Sequence, residues 1–260
     1  MNWLLDCHLN NGILELVEAI QNAGCTHKFF TMDDELRGRF NHFPDNEPLV
    51  FYGSFQIAEL IAANKPSWKP GPIYDPERTR WQYYAPRIGN RLLNREHVVE
   101  IWGNVQRGWQ AFKEQFGSDS LFIRPESPAK SFSGQVVSDL HAFIKREGVY
   151  LANMDADTLI VVSQPRTIEA EYRFLVVNRK VVAGSGYRRN GLFEPFPDFP
   201  EAARTYAQEV ADEFSPSPAF MIDVAESDGY HVVEVGPFSC CSLYEMDRRV
   251  VVEAINSLAS

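Results

Sequence analysis

The 260 residues include 35 acidic and 25 basic side chains, a formal net charge of −10, with 45% hydrophobic residues. That length can bury one large core or two smaller ones, and the negative charge disfavours a general affinity for nucleic acid or anionic membrane, although a local basic patch can still bind a phosphate-bearing ligand, so the charge argues for a small-molecule or peptide partner. Cys7, Cys25, Cys240 and Cys241 form no disulfide framework and no C-x-x-C zinc pair, while the opening Met1 to Asp6 has neither a basic n-region nor a long apolar run, so a cytoplasmic location is expected.

In chain order, Gly12 to Ala23 has the periodicity of an amphipathic helix, and Pro48 to Tyr52 reads as a buried strand leading through Gly53-Ser54 into a helix over Gln56 to Ala63. This is an α/β pattern. Between Lys65 and Asn90 five prolines interrupt any regular element, so a long packed connection rich in Trp and Tyr is expected. Its cations Lys65, Lys69, Arg78 and Arg80 are the one stretch that could contact nucleic acid.

Val98, Ile101, Val105, Trp109 and Phe112 recur at helical spacing, which predicts a helix over Arg95 to Phe116 closed by Gly117. A domain start at residue 95 follows, dividing the chain into 1–94 and 95–260. Beyond it we expect a strand at Leu121 to Arg124, a helix from Ser138 to Arg146 and a strand at Thr158 to Val162. Two hairpins follow, turning at Asn178-Arg179 and Asp228-Gly229, with helices at Glu201 to Phe214 and from about Met246. The C-terminal part is therefore α+β and largely antiparallel.

Asp228-Gly229 suits a two-residue type I′ turn. Counting outward from it pairs Ser227 with Tyr230, Val224 with Val233 and Asp223 with Glu234, and leaves Ile222, Val224, Val233 and Val235 on the buried face. Opposed carboxylates repel unless a cation lies between them, so Asp223 and Glu234 are a candidate magnesium site, or else a solvated acidic pair. On the first reading, removing either charge leaves the metal-free protein equally stable or more so.

The same counting around Asn178-Arg179 pairs Arg173 with Gly184, Glu171 with Gly186 and Glu169 with Arg188. Glycines opposite charged residues leave space for a ligand, or else mark bulges beside a Glu169–Arg188 ion pair. Arg124 and Lys130 flank a small-residue loop, with Ser131 and Ser133, that can close over phosphates. Val161 to Pro165, with Ser163 and Gln164, can present backbone groups to an adenine ring.

Taken in order, F-I-R-P, K-S-F-S-G, V-V-S-Q-P, E-Y-R-F-L-V-V-N-R-K-V-V-A-G-S-G-Y and D-V-A-E-S-D-G-Y-H-V-V-E-V-G-P resemble the ATP-grasp superfamily, nearest to the clade marked by two arginines and a lysine. The resemblance implies an α+β, two-lobed ATP-grasp-like module preceded by a small α/β domain, with ATP between the lobes. It puts adenine near Ser163 and Gln164, phosphates near Arg124, Lys130, Ser133 and Arg173, with Glu171 alongside, and magnesium on Asp223 and Glu234. Arg124, Lys130, Arg173 and Arg188 would be the catalytic cations, with Tyr187 and Arg188 on the substrate side.

The implied activity is ATP- and magnesium-dependent ligation, in which a carboxylate becomes an acyl phosphate and an amine displaces the phosphate. The rivals are a phosphotransferase and a nucleotide-binding regulatory protein without turnover. The family usually carries Asn two residues after the metal-binding Glu, where this chain has Gly236; either Ser239 or water substitutes, or only one magnesium binds well, or catalysis is lost while nucleotide binding is kept. The start of the helix at Gly53-Ser54 is either an ordinary Ser54 cap or a place for an anionic group. The identity of the carboxylate and amine, and the oligomeric state, stay open.

Overall fold

Three separate sheets organise the chain in the computed structural model, which describes residues 1–8, 12–65, 67–129, 131–151 and 154–259. Two compact units contain them: Met1–Asp75 with Ile168–Ser260, and Pro76–Thr167. Among the described residues no helix is long and apolar enough to cross a membrane.

The N-terminal stretch builds a parallel sheet of β1 (Asn2–Asp6), β2 (Thr26–Phe30), β3 (Leu49–Tyr52) and β4 (Pro70–Pro72), in the order β2-β1-β3-β4. The helices are α1 (Ile13–Asn22), α2 (Met32–Leu36) and α3 (Phe55–Asn64). The predicted α1, β3 and α3 are present. β1 was not legible, because Asn2–Asp6 is buried along nearly its whole length and so shows no alternation, and neither was β2, where Thr26–Phe30 is mostly exposed.

Pro76–Thr167 begins with α4 (Trp81–Ile88), where a structureless connection was expected. Trp81, Tyr84, Ala85 and Ile88 are buried at helical spacing, and that apolar stripe sustains the helix despite Pro86 inside it. Next come β5 (His97–Ile101), α5 (Trp102–Arg107), α6 (Trp109–Phe116), β6 (Leu121–Pro125), β7 (Gln135–Val137), α7 (Leu140–Arg146), α8 (Gly148–Leu151) and β8 (Leu159–Ser163). The helix predicted from Arg95 is a strand at its start. His97–Ile101 pairs along its length with β8, and the β-branched Val98, Val99 and Ile101 suit that ladder better than their accidental helical spacing. Gly117, at φ 59°, ends α6 as expected.

The antiparallel order β5-β8-β6-β7 puts Leu121, Ile123, Ile160 and Val162 into a core with Trp102, Phe132 and Phe143. Its other face carries Phe122, Arg124, Val161 and Ser163, as the pairs Phe122↔Ser163 and Arg124↔Val161 require. Buried Glu126 ties α4 to this sheet. Its carboxylate accepts from the Gln82 backbone N–H at 3.0 Å and pairs with Arg80 Nη2 at 3.0 Å, satisfying an orphan donor at the start of the helix.

The chain then returns to the first unit with β9 (Ala170–Val177), β10 (Lys180–Arg189), β11 (Leu192–Phe196), α9 (Glu201–Glu213), β12 (Ala219–Glu226), β13 (Tyr230–Pro237) and α10 (Arg248–Asn256). The five-stranded antiparallel sheet runs β11-β10-β9-β12-β13. One face buries Tyr172, Phe174, Val176, Phe220 and Ile222. The opposite face is apolar at one end, where Leu175, Val177, Ala219 and Met221 share a core with Trp3, Leu16, Val50, Val251 and Ile255. Its other end is charged.

Bulges change the predicted registers. Asn178 and Arg179 both have positive φ, as a type I′ turn requires, and Lys180 pairs with Val177, but irregularities at Val182 and Tyr187 then shift the partner strand twice. Arg173 therefore faces Ser185 rather than Gly184, Glu171 faces Arg188 rather than Gly186, and the proposed Glu169–Arg188 pair gives way to Arg188–Glu171. The glycines do not make room for a ligand. A Cβ on Gly184 would lie 2.6 Å from the Phe174 ring and 3.0 Å from Phe199, and one on Gly186 would lie 2.0 Å from Phe196.

In the other hairpin Glu226 pairs with Tyr230 around a three-residue loop, and Val224 faces Val232 rather than Val233. A bulge at Val233 restores the counting, so Asp223 does face Glu234. The buried face accordingly takes Val232 in place of Val233.

Gly184→Ala forces its methyl group against the fully buried Phe174. Overpacking of this kind should cost about 1–3 kcal/mol of unfolding free energy, read as a lower urea midpoint with unchanged m-value.

Candidate active site

The charged end of the five-stranded sheet is built around Arg173. It lies directly across from Asp223 on the neighbouring strand, and the two form a two-point contact, Nε to Oδ1 and Nη2 to Oδ2, each 2.7 Å. The remaining Nη1 donates to the Ser242 carbonyl at 3.1 Å, and the guanidinium carbon lies 4.8 Å from the Tyr244 ring centre. Both side chains are buried. Burial opposes the charge on Arg173, but the attraction and hydrogen bonds of Asp223 outweigh it and hold the guanidinium well above its ordinary pKa.

Tyr187 links this pair to a second one. Its hydroxyl lies 2.7 Å from Glu171 Oε2 and 3.2 Å from Asp223 Oδ2, with one proton to donate, while Arg188 Nε reaches Glu171 Oε1 at 2.8 Å. The bulge at Tyr187 puts both Tyr187 and Arg188 on the side of the sheet that carries Glu171. Burial pushes the Glu171 carboxyl above the usual range, against the opposing pull of Tyr187 and Arg188. Burial and the carboxylates of Asp223 and Glu171 raise the Tyr187 phenol well above its ordinary value.

The repulsion expected between Asp223 and Glu234 is offset by Arg173, whose guanidinium neutralises Asp223. Asp223 still presents a donor set suited to magnesium, because Oδ1 accepts one hydrogen bond from Arg173 and keeps a second acceptor position, and half-buried Glu234 lies across the ladder. Hard carboxylate oxygens on adjacent strands fit the metal. The expected substitute at Ser239 does not: this hydroxyl is fully buried, donates to the Phe51 carbonyl at 2.6 Å and accepts from the Ile73 N–H at 2.8 Å. Gly236 is filled by the chain itself, since a Cβ there would come within 2.8 Å of Cys241 Sγ. A side chain at that position requires the Cys241 thiol to shift.

In the other unit, Arg124 is buried on β6, with Nη1 3.4 Å from the Tyr84 hydroxyl and its guanidinium 5.2 Å from the Trp81 ring centre. The end of the small-residue loop folds back beside it, because a Cβ on Gly134 would lie 3.3 Å from Arg124 Cβ. Phe132 pins that loop by packing edge-on against Phe143, and Ser133 is exposed. Lys130 lies outside the described residues. Asn94, which the sequence reading missed, donates to Ser163 Oγ at 2.8 Å and to the Gln164 carbonyl at 3.1 Å, fixing the strand end expected to meet adenine.

Two smaller expectations change. The Ser54 side chain does not cap α3; its backbone N–H instead donates to Asp6 Oδ2 at 3.1 Å, so the chain's own carboxylate occupies the helix start. Within the Lys65 to Asn90 stretch, Lys65 pairs with Asp45, Arg80 pairs with Glu126 and Glu77, and Trp68 and Trp81 are buried, so these four side chains are engaged within the protein.

Residues 97–254, more than half of the chain, match the family model of the ATP-grasp domain, family 2 of the clade marked by two arginines and a lysine. The chain belongs to this ATP-grasp family. Among solved structures, this ATP-grasp chain is similar to the D-cycloserine synthetase DcsG, at 13% identity and TM-score 0.66 over 100% of both chains. It is also similar to a RimK domain ATP-grasp protein from Sphaerobacter thermophilus DSM 20745, at 15% identity and TM-score 0.63 over 98% of this chain and 100% of that one. The ATP-grasp ligase PsnB, complexed with minimal precursor, Mg and ADP, matches at 9% identity and TM-score 0.58, covering 100% of this chain and 97% of PsnB. These likenesses show the fold. A search of curated proteins gave no match.

Asp223→Asn leaves Arg173 buried without its charge partner, so the metal-free variant should lose about 3–5 kcal/mol of stability, the reverse of what opposed carboxylates alone would give. Urea titration in the presence of EDTA checks this. A second measurement addresses Glu171. Because its folded pKa is raised, the folded state holds the extra proton, and stability should fall as pH rises from the ordinary value of 4.5 through the raised one. Unfolding free energies across that range should show a smaller decline in Glu171→Gln than in the wild type.

Proposed function

We propose that this ATP-grasp protein is an ATP- and magnesium-dependent ligase that activates a carboxylate as an acyl phosphate for attack by an amine. The observation that carries the reading is the grouping of Glu171, Asp223 and Glu234 with Arg173 and Arg188 at one end of one sheet face, in a chain of this family. Acidic groups in surplus over paired arginines suit a site that takes a divalent cation together with phosphates. The PsnB complex, which holds magnesium and ADP in the same fold, supports the same choice of ligands.

In this reading Asp223 and Glu234 hold magnesium, which when bound offsets charge on the phosphates. Ser163 and Gln164, fixed by Asn94, receive the adenine. Arg124, Lys130 and Ser133 bind the outer phosphates, and Arg173, with Glu171 near it, orients the charged end of the nucleotide. A substrate carboxylate oxygen attacks the γ-phosphorus, the bond to the β,γ-bridging oxygen breaks and ADP leaves. An amine nitrogen then attacks the acyl carbon, phosphate departs, and the amine proton passes to solvent. In this reading Arg188 holds the carboxylate during this exchange, so positioning and charge stabilisation carry the catalysis. The boundary at residue 95, close to where the family match begins, is proposed as the start of the catalytic module.

Trapping with hydroxylamine tests the chemistry. Incubation with ATP, magnesium, hydroxylamine and a panel of carboxylic acids should yield a hydroxamate with equal amounts of ADP and phosphate. Glu234→Gln should lower the rate by roughly 100-fold or more, as expected when charge stabilisation in the transition state is lost. Release of AMP and pyrophosphate would exclude the acyl phosphate. A stable phosphorylated product would favour the phosphotransferase, and nucleotide binding without product across the panel would favour the regulatory protein.

A further inference from the structure

Tyr244 has φ 46°, a left-handed conformation that a bulky aromatic residue rarely adopts. Its loop is held there from several sides. Arg248 donates to the carbonyls of Leu243, Tyr244 and Met246, Arg173 donates to that of Ser242, and the Glu245 N–H donates to Ser185 Oγ at 3.1 Å. A strained residue that its surroundings over-determine is a pointer to function. Here the restraints stack the Tyr244 ring on Tyr187, with centroids 4.9 Å apart and planes 19° from parallel.

The second observation is on the edge strand β11. Phe193 is 59% exposed and Leu192 71%, large apolar side chains left in solvent at the rim of the charged end of the sheet. Phe193 is the cross-strand partner of Arg188, and its ring meets Tyr244 at 5.8 Å and 63°. The two rings thus form an open aromatic corner, with the Arg188 side chain, 38% exposed, beside it.

We propose that Phe193, Tyr244 and Arg188 form the recognition site for a substrate that combines a flat apolar ring with a carboxylate, so that the ligase activates an aryl carboxylic acid. Aromatic edges and faces select a planar group by offset or edge-to-face contact, and the guanidinium selects the anionic end. This inference deepens the ligase reading and rests on it.

The test compares 3-phenylpropionate with butyrate as probes. Binding is measured by ligand-observed NMR with AMPPNP and magnesium present, and turnover by hydroxamate formation with ATP. The wild type should bind and turn over 3-phenylpropionate in preference to butyrate. Phe193→Ala and Phe193→Leu should each raise KM for 3-phenylpropionate on the order of tenfold more than KM for butyrate, with the affinity for ATP unchanged. Phe193 is exposed, so both variants should fold, and the Leu variant separates loss of the ring from loss of apolar area. Equal treatment of the two acids, or no detectable binding of 3-phenylpropionate, overturns the aryl site. Weakened ATP binding in both variants also overturns it, by assigning the corner to the nucleotide base. Hydroxamate formed equally from both acids leaves the ligase reading standing, whereas selective binding of 3-phenylpropionate without any hydroxamate supports the aryl site and removes the ligase reading.

Discussion

The buried Arg173–Asp223 pair is the interaction on which the candidate site depends. Removing both charges from water is expensive, and the cost is offset only because the two-point geometry is short and direct and the third guanidinium nitrogen also finds an acceptor. That third bond reaches the Ser242 carbonyl, so the pair also anchors the loop bearing Tyr244. Through the shared Tyr187 hydroxyl it connects to Glu171 and Arg188. A change at either member therefore alters the electrostatics of the site and the shape of its rim together.

Bulges are the geometric means by which these groups meet. In an unbroken ladder Tyr187 and Arg188 would point to opposite faces, but the irregularity between Gly186 and Arg188 lets both reach Glu171. The same device on β13 returns Asp223 and Glu234 to register beyond a three-residue turn. Gly184 and Gly186 serve the other face, where they admit the rings of Phe174 and Phe196.

In the unit formed by Pro76–Thr167, buried polar groups do comparable work. Glu126 meets both Arg80 and the start of α4, and Asn94 ties Ser163 to Gln164, so α4 and the strand end are fixed by charge-assisted and amide hydrogen bonds as well as by packing. The aromatic stripe of α4 covers Arg124, leaving its cation against Trp81 and Tyr84.

The sequence by itself determined the α/β start, the antiparallel α+β remainder, the turn at Asn178-Arg179 and the family, because these depend on local periodicity, turn chemistry and motif order. Asp223 facing Glu234 was also legible, although the route to it crossed an unseen bulge. Only the tertiary structure decided that β5 is a strand, that α4 forms around Pro86, and that Arg173 lies across from Asp223 on the neighbouring strand. The reason is the same in each case. A strand's partner, a bulge's position and the burial of a charge depend on residues far away in the chain, and a period of two or 3.6 along the sequence carries no information about which distant side chain will complete the contact.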